Sequence, residues 1–373
     1  MDAHEREKNE KNWTRRELLA AGGAMLLGLA GCEAHTRSIN RHILANNMSI
    51  KVPMQTPIMP TALSDRPITL AFTGDVMFGR TVNSHLLATT TDDPYPFTHT
   101  ADFLRTFDLT IGNLECVVSR LGNPVDKPRP FILRGDPRAY KRLVHAGFDV
   151  VSVANNHSGD YGKEAFVDEI MTLPRHGITP VGGGRNKREA HTPVFKTVRN
   201  TTVGFLAYDE IAPYYFAATD TTPGHAWLNE ENVRRDVPLA RRHADFVIVF
   251  MHWGTEYSTT FNTHQRHLAH VAIDAGADLV VGAHPHVIEP YEYYRGKPII
   301  YSLGNFVFDY MDADVVRRGN ILTLTLDKDR LLNWKLVSTH IGKWGEPTLI
   351  SRNARKSVGT RRVPTLLRAF TNF

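Results

Sequence analysis

One stretch, residues 279–287, most constrains the fold of this chain, because it joins a buried strand to two histidines. Residues 279–281 form an apolar run that predicts a buried parallel strand. His284 and His286 follow after two small residues, and Pro285 between them fixes its own φ and so sets the spacing of the two rings. The stretch therefore predicts two imidazoles at the carboxyl end of a strand, the edge at which open α/β sheets bind ligands.

Other apolar runs of strand length also end in polar residues. These runs lie at residues 68–73, 108–111, 150–154, 246–251 and 298–302. Helical patterns that close with a glycine separate several of them, at residues 137–146, 163–176 and 263–275. This alternation predicts an α/β fold. Near the carboxyl end, two further runs flank an acidic turn and predict a hairpin, at residues 321–326 and 331–340.

The residues that follow the strands are all oxygen or imidazole donors. They are Asp75, Asn113, Glu115, Asn156, His157, His252, His284 and His286. Taken singly, Asp75 fits a turn, Glu115 a solvated acid and Asn156 an Asx-turn. Because such donors recur at strand after strand, we expect a shared metal site at this edge rather than unrelated buried polar residues.

The amino terminus carries signals for export. The pair Arg15-Arg16 precedes an apolar run at residues 20–30 and resembles a twin-arginine export signal. Leu29-Ala30-Gly31-Cys32 resembles a lipobox, in which the signal is cut before a cysteine that becomes lipidated. We predict a signal peptide over residues 1–31, lipidation of Cys32, and an exported protein anchored by lipid at the extracytoplasmic or periplasmic face of the cell envelope. A chance amphipathic helix is the alternative.

The rest of the chain divides into a tether, one large domain and a tail. Residues 32–66 are polar and punctuated by proline, which predicts a tether. We predict a single domain over residues 67–345 and a basic tail over 346–373. The chain has two cysteines. If Cys32 is lipidated, the remaining thiol cannot form an intramolecular disulfide.

The charge of the chain favours an anionic partner. The formal net charge is +5, and acids and bases balance within residues 1–31, so the remainder keeps the excess. Dense blocks of Lys and Arg interleaved with aromatic residues are absent from the sequence, which argues against nucleic-acid binding. The sequence also lacks a phosphate-binding Gly-x-x-x-x-Gly-Lys loop, so any nucleotide-driven ligase step belongs to a partner such as a membrane synthase subunit.

The strand-end motifs resemble those of a known family. The motifs are Gly74-Asp75-Val76-Met77, Asn113-Leu114-Glu115, Ala154-Asn155-Asn156-His157, His252-Trp253-Gly254 and Gly282-Ala283-His284-Pro285-His286. In this order they resemble the CapA family, which is linked to capsule and poly-γ-glutamate biosynthesis. The resemblance implies a calcineurin-like metallophosphatase fold, an α/β sandwich of two mixed β-sheets flanked by helices, with two divalent ions at the strand ends.

The resemblance also implies roles for individual residues. Asp75 and His286 hold one ion, Glu115 bridges, and the second ion is held by Asn156, His252 and His284. His157 takes the place of the general acid. The ions, which are Mn, Zn or Fe, activate a shared hydroxide.

Four further polar residues are candidates for supporting roles. Asp160 either orients His157 or a ligand histidine, or only forms a turn. We predict that Asn113, Asn155 and Asn305 line the site and contact substrate.

Two positions depart from the well-known phosphoesterase pattern. Met77 stands where an imidazole ligand is expected, and Glu115 replaces a bridging aspartate. A thioether is a poor ligand for hard divalent ions, so the first metal position lacks one donor. The sequence supports a metal-dependent hydrolase that acts on a phosphoester or an anionic polymer. The alternative is a non-catalytic, lipid-anchored accessory protein that binds the polymer and guides it for a membrane synthase.

Overall fold

Two mixed β-sheets form the centre of the fold. The computed structural model describes residues 66–350, except 91, 129–130, 212 and 310. The predicted signal peptide, Cys32, the tether up to residue 65 and the tail from residue 351 lie outside the described residues. Among the residues that are described, no helix is long and apolar enough to span a bilayer.

Strands and helices are interleaved as far as residue 275, and mainly strands follow. In chain order, the strands are β1 (Ile68–Val76), β2 (Leu109–Leu114), β3 (Val117–Val118), β4 (Arg134–Gly135), β5 (Val150–Ser152), β6 (Thr179–Val181), β7 (Gly183–Gly184), β8 (Val194–Val198), β9 (Thr201–Asp209), β10 (Gly224–His225), β11 (Phe246–His252), β12 (Leu279–Ala283), β13 (Tyr291–Tyr294), β14 (Lys297–Ile300), β15 (Asn305–Val307), β16 (Arg318–Asp327), β17 (Arg330–Ile341) and β18 (Pro347–Leu349). The α-helices are α1 (Arg80–Ala88), α2 (Ala101–Leu104), α3 (Arg138–Ala146), α4 (Gly162–Thr172), α5 (Lys187–Ala190), α6 (Glu230–Arg241) and α7 (Thr263–Ala275). Short 3₁₀ turns lie at Leu173–His176, Tyr214–Phe216 and Asp314–Arg317.

Both large sheets combine parallel and antiparallel pairs. The first has the order β18-β17-β16-β1-β2-β5-β6, with β15 also paired to β1. The second has the order β13-β14-β12-β11-β9-β8. Strand β1 runs parallel to β2 and antiparallel to β16, and β11 runs parallel to both β9 and β12. The predicted pair of mixed sheets is confirmed.

The main core lies between the two sheets, and helices cover their outer faces. Phe72 of β1 stacks on Phe250 of β11, with ring centroids 6.2 Å apart, within one buried apolar cluster drawn from both sheets. Leu143 of α3 belongs to a second cluster on the first sheet, and Leu268 of α7 to a third on the second sheet. Burial of each such side chain contributes about 1.5–3 kcal/mol. The predicted flanking helices are therefore confirmed.

Local signals located the helix ends well. Helix α7 begins after Asn262, which forms a capping box with Gln265, and ends at Gly276 with a φ of 116°. Helix α4 ends earlier than predicted, because the last turn tightens into a 3₁₀ turn that contains Pro174. Proline lacks the backbone N–H that would continue the α-helical ladder.

The carboxyl end of the domain extends past the predicted boundary. The predicted hairpin is present as β16 and β17, joined through residues 328–329. Strand β18 then pairs antiparallel with β17, and Pro347 is buried. The sheet therefore continues beyond residue 345, because backbone pairing holds residues that composition alone assigned to the tail.

Candidate metal centre

The register of the strands brings the predicted donors to one edge. Asp75 lies opposite Asn113 of β2 and opposite Asn305 of β15. In the other sheet, His252 is the last residue of β11 and pairs with Ala283, which directly precedes His284. Carboxyl ends of parallel strands from both sheets thus meet at the same place.

A close backbone contact fixes the position of Asp75. A Cβ atom added at Gly74 would lie 1.8 Å from the carbonyl oxygen of Gly304. The N–H of Asp75 donates to that same oxygen at 3.1 Å. Only glycine permits this approach, which places the Asp75 carboxylate beside the loop that carries Asn305.

The ligand atoms of five buried residues converge in two groups. Glu115, His284 and His286 form one group, and Asp75, Glu115 and His252 form the other. Within each group the ligand atoms lie within 4.8 Å of one another. Glu115 belongs to both, which is the placement expected for a bridging carboxylate. These groupings combine the predicted ligands differently from the predicted division between two ions, and that division stays a prediction.

Several of these atoms are buried without a hydrogen-bond partner. They are Asp75 Oδ2, Glu115 Oε1 and Oε2, and His284 Nδ1. Each unpaired polar atom costs about 1–3 kcal/mol, and more when it is charged. Carboxylate oxygens and imidazole nitrogens are also donors that divalent metals accept. The chemistry of these atoms therefore fits a bound cation.

Burial shifts the pKa values of three of these residues toward their neutral forms. Burial, together with the negative charge of Asp75, raises the pKa of Glu115 well above its usual value. Burial and the neighbouring His286 lower the pKa of His284 to about 3. Burial and His284 also hold the pKa of His252 well below its usual range. The two imidazoles are thus neutral, which is the form that binds metal.

His252 and Asn156, two predicted ligands of the second ion, contact each other. Nε2 of His252 lies 2.9 Å from Oδ1 of Asn156. This is a hydrogen-bond distance, so the two groups bond each other directly. On its other side, Nδ1 of His252 lies 3.2 Å from Nδ2 of Asn113. His252 is held at both nitrogens.

Asn305 selects the ligand nitrogen of His286. The amide nitrogen of Asn305 donates to the backbone carbonyls of His286 and Val316, so its Oδ1 faces Nδ1 of His286 at 3.0 Å. The proton of the imidazole therefore lies on Nδ1. Nε2 keeps its lone pair and lies 3.6 Å from Oε1 of Glu115.

The loop that carries the two histidines is strained. His284 has a φ of 97° and His286 a φ of 59°, values that side-chain-bearing residues rarely adopt. Such conformations cost about 1–3 kcal/mol each and occur where a site requires them. The carbonyl of Pro285 accepts a hydrogen bond of 2.8 Å from the N–H of Tyr257, which helps to hold the loop.

His157 is the end of a hydrogen-bonded chain. Its Nδ1 lies 2.7 Å from Oδ2 of Asp160, which is fully buried. The N–H of Leu133 donates to the same oxygen at 2.7 Å, and Nζ of Lys127 contacts Oδ1 at 2.7 Å. Burial lowers the pKa of His157, against the opposing effect of Asp160.

Lys127 was missed by the sequence analysis. Besides Asp160, its Nζ donates to the carbonyl of Asn156 at 3.0 Å. It lies in a loop without strand or helix periodicity, 33 residues before Asp160. No local pattern in the sequence signals this contact.

The predicted substrate-contacting asparagines are fully buried. Nδ2 of Asn113 donates to Oδ1 of Asp75 at 2.9 Å. Nδ2 of Asn155 donates to the carbonyl of Leu114 at 2.8 Å, and its Oδ1 accepts from the N–H of His157 at 3.1 Å. These contacts, like those of Asn305, hold the predicted ligands and His157 in place. Contact with substrate stays a prediction.

The sulfur of Met77 is hydrogen-bonded within the turn that follows β1. Sδ accepts a hydrogen bond from the N–H of Gly79 at 2.7 Å, in the turn that leads into α1. The side chain is fully buried in the apolar cluster that contains Phe78 and Val82. The position that lacks an imidazole is therefore filled by core packing.

Residues 69–310 match the model of the family described as bacterial capsule synthesis protein PGA_cap. The chain belongs to this family. The resemblance to the CapA family that the strand-end motifs indicated is confirmed, and the matched range contains every predicted metal ligand.

Two proteins named for PGA or capsule biosynthesis are similar to this chain in sequence. The chain is 35% identical to the PGA biosynthesis protein CapA of Bacillus subtilis over 256 residues, which is 68% of this chain and 67% of that protein. It is 33% identical to the capsule biosynthesis protein CapA of Bacillus anthracis over 248 residues, 65% of this chain and 60% of that protein. Among solved structures it is similar to the calcineurin-like phosphoesterase YfkN from Bacillus subtilis, at 16% identity and a TM-score of 0.42, over 79% of this chain and 93% of that one.

Proposed function

We propose that the protein is a metal-dependent hydrolase of capsule or poly-γ-glutamate synthesis that acts on a phosphoester or an anionic polymer. One observation carries this proposal. Asp75, Glu115 and His284 carry four buried polar atoms without partners, and ligand atoms of these residues lie in two groups that share Glu115. Family membership supplies the link to capsule synthesis.

The residues fit two divalent ions. Asp75 and His286 would hold one, His252, His284 and Asn156 the other, and Glu115 would lie between them. When bound, such ions supply Lewis acidity that activates water and neutralises developing negative charge. The buried, neutral imidazoles need no deprotonation before they bind metal.

His157 is the proposed proton donor to the leaving group. Asp160 holds Nδ1, so Nε2 is the nitrogen that exchanges the proton. The lowered pKa makes the protonated ring a stronger acid. Lys127 and the N–H of Leu133 keep Asp160 in place, and therefore fix the ring that it orients.

The proposed location is the cell envelope. The arginine pair, the apolar run and Cys32 support export and lipid anchoring, and the family link to capsule synthesis agrees with this. A membrane synthase subunit is the proposed partner, since the sequence itself lacks a phosphate-binding loop.

A second function is favoured by Met77. Because its sulfur is hydrogen-bonded to Gly79, the first metal position has only Asp75, His286 and the shared Glu115. A weakly held first ion suits an accessory protein that binds the polymer and guides it without turnover.

Metal analysis and turnover test the proposal together. The full chain is loaded with Mn²⁺ or Zn²⁺, and its metal content and its hydrolysis of a phosphodiester and of poly-γ-glutamate are measured. We expect bound metal and turnover in the wild type, and loss of both in His284→Ala and Glu115→Gln. His267→Ala is the control, because this histidine lies exposed on α7 and pairs with Glu230.

Other results would contradict the hydrolase proposal. Polymer binding with no turnover, unaffected by chelation, establishes the accessory function instead. Activity that persists in His284→Ala, or a wild type that holds no metal, overturns the hydrolase.

A further inference from the structure

A basic cleft lies next to the metal centre. It has a volume of about 490 Å³ and is lined by Arg80, Lys127 and Arg134, with the polar side chains of Asn83 and Tyr161. None of the described lining residues is acidic. A volume in this range admits a segment of several linked groups rather than a single small ion.

Two of the lining cations connect the cleft to the metal centre, Lys127 directly and Arg80 through one intervening ring. Lys127 reaches Asp160 and the carbonyl of Asn156, as described above. The guanidinium of Arg80 lies 5.3 Å from the centroid of the Phe308 ring. That ring packs against His286 with centroids 4.8 Å apart. The cleft therefore borders side chains that pack against the predicted reacting centre.

Arg134 is the cation best placed to bind an outside anion. Arg80 pairs with Asp309 at 2.7 Å, and Lys127 pairs with Asp160. Arg134 instead donates to the carbonyls of Leu121 and Gly122. No carboxylate in the described part of the chain contacts it.

Stacking fixes the Arg134 guanidinium in place. It lies 3.4 Å from the centroid of the Tyr161 ring, so little conformational freedom is lost when it binds a ligand.

Apolar residues complete the lining. Pro124, Val125 and Ile132 line the same cleft as the three cations. A chain of linked glutamates carries both kinds of group that this surface suits, namely spaced carboxylates and methylene groups. Inorganic phosphate and polyphosphate have the charge but offer nothing to the apolar residues.

We infer that this cleft binds a carboxylate-bearing polymer, and that Arg134 holds one carboxylate at a distance from the bond that reacts. This inference rests on the proposed function, because it names the substrate class of the same site. Arg134 acts here as a specificity-determining residue, and Lys127 joins the polymer subsite to the proton-donating pair.

Three variants that each change the net charge by the same amount test the cleft. Arg134→Gln removes the guanidinium, and Pro124→Glu places a carboxylate at an exposed position of the lining. Arg330→Gln is the control, because Arg330 is exposed at the β16–β17 turn. That turn lies at the amino end of β1, where Ile68 pairs with Leu326, and so at the opposite end of β1 from Asp75.

Binding is measured by calorimetry on the full chain, with poly-γ-glutamate, free glutamate and polyphosphate as probes. We expect the wild type to bind poly-γ-glutamate far more tightly than free glutamate. Arg134→Gln and Pro124→Glu should each weaken that binding about tenfold or more, the effect of losing a charged hydrogen bond or adding a like charge. Arg330→Gln should change it less than about twofold, because salt screens distant exposed charges.

The other possible results contradict the inference that this cleft binds a carboxylate-bearing polymer. Equal losses in all three variants indicate only long-range charge, and equal or tighter binding of polyphosphate with the same variant pattern indicates a phosphate site. A wild type that does not bind poly-γ-glutamate also overturns the inference. Pro124→Glu keeps the test valid if Arg134→Gln does not fold, since its side chain is exposed. Wild-type metal content and phosphodiester turnover test the proposed function separately, so a failure of one is distinguishable from a failure of the other.

Discussion

Asn305 Oδ1 lies 3.0 Å from Nδ1 of His286, and this contact decides which imidazole nitrogen can bind metal. Asn305→Ala removes the acceptor and frees the tautomer of His286. We expect metal affinity to fall by about 10–100-fold, the usual effect of losing a residue that orients a ligand. Competition with a fluorescent chelator measures this.

Asn333→Ala is the matched control for that prediction, because Asn333 is exposed on β17. The melting temperature of each metal-free variant separates a loss of ligand geometry from a loss of fold. Unchanged affinity in Asn305→Ala would show that His286 needs no orienting partner.

The His157–Asp160 pair predicts a pH dependence. Burial lowers the pKa of His157 below its ordinary value of 6.5, so the protonated ring is lost as pH rises through that lower pKa. For a substrate with a poor leaving group, kcat should therefore fall on the alkaline side. Asp160→Asn removes the charge that opposes the shift and should move this limb to lower pH.

A p-nitrophenyl ester controls for the role of the acid, because its leaving group needs no proton. Its kcat should lack this alkaline limb in both proteins. An identical alkaline limb for both substrates would assign the titration to another group.

The sequence could predict which residues lie at the strand ends of this site, but it could not predict the contacts between them. The strand-end positions of Asp75 and His252 follow from apolar runs that are local in the chain. Helix α7 follows equally from Asn262 and Gly276 at its ends. Helix α6 was not predicted, because Pro238 lies within a highly charged segment that shows no clear apolar period.

The contacts that tune the site are not local. Asn305 meets His286 because β15 pairs with β1, and that pairing depends on the glycine contact between residues 74 and 304. The direction of the Met77 sulfur likewise depends on how the turn after β1 packs. Period and spacing carry no information about either.

The raised pKa of Glu115 predicts that this carboxyl releases a proton when metal binds. Its raised pKa keeps it protonated above pH 4.5 in the metal-free protein, whereas His252 and His284 are already neutral. In the pH range where the raised pKa keeps this carboxyl protonated, metal binding should therefore release its proton, and apparent affinity should rise with pH. Titration calorimetry in buffers of different ionisation enthalpy measures the proton count.

Glu115→Gln provides the comparison for this count. It cannot release the proton, so any residual binding should show no buffer dependence. Equal release from both proteins would mean that another group carries the proton.

The close contact at Gly74 predicts a large loss of stability on substitution. A Cβ in Gly74→Ala would meet the Gly304 carbonyl at 1.8 Å, and backbone on both sides must shift. We expect a cost of about 3 kcal/mol or more, together with weaker metal binding. Gly296→Ala is the control, because its Cβ meets nothing within 4 Å and only its φ of 74° is unfavourable, at about 1–2 kcal/mol. Urea unfolding of the metal-free proteins compares the two.

The buried environment of Met77 predicts that Met77→His does not supply the missing metal ligand. The side chain is fully buried in an apolar cluster and its sulfur is hydrogen-bonded to the N–H of Gly79. Met77→His places a polar ring there, so we expect a loss of about 1–3 kcal/mol in the free energy of unfolding and no gain in metal affinity. Met77→Leu, which keeps the volume, should cost less than about 1.5 kcal/mol. Urea unfolding and metal competition measure both quantities. A more tightly bound first ion in Met77→His would show that a side chain at this position reaches the metal, and that methionine there limits the binding of the ion directly.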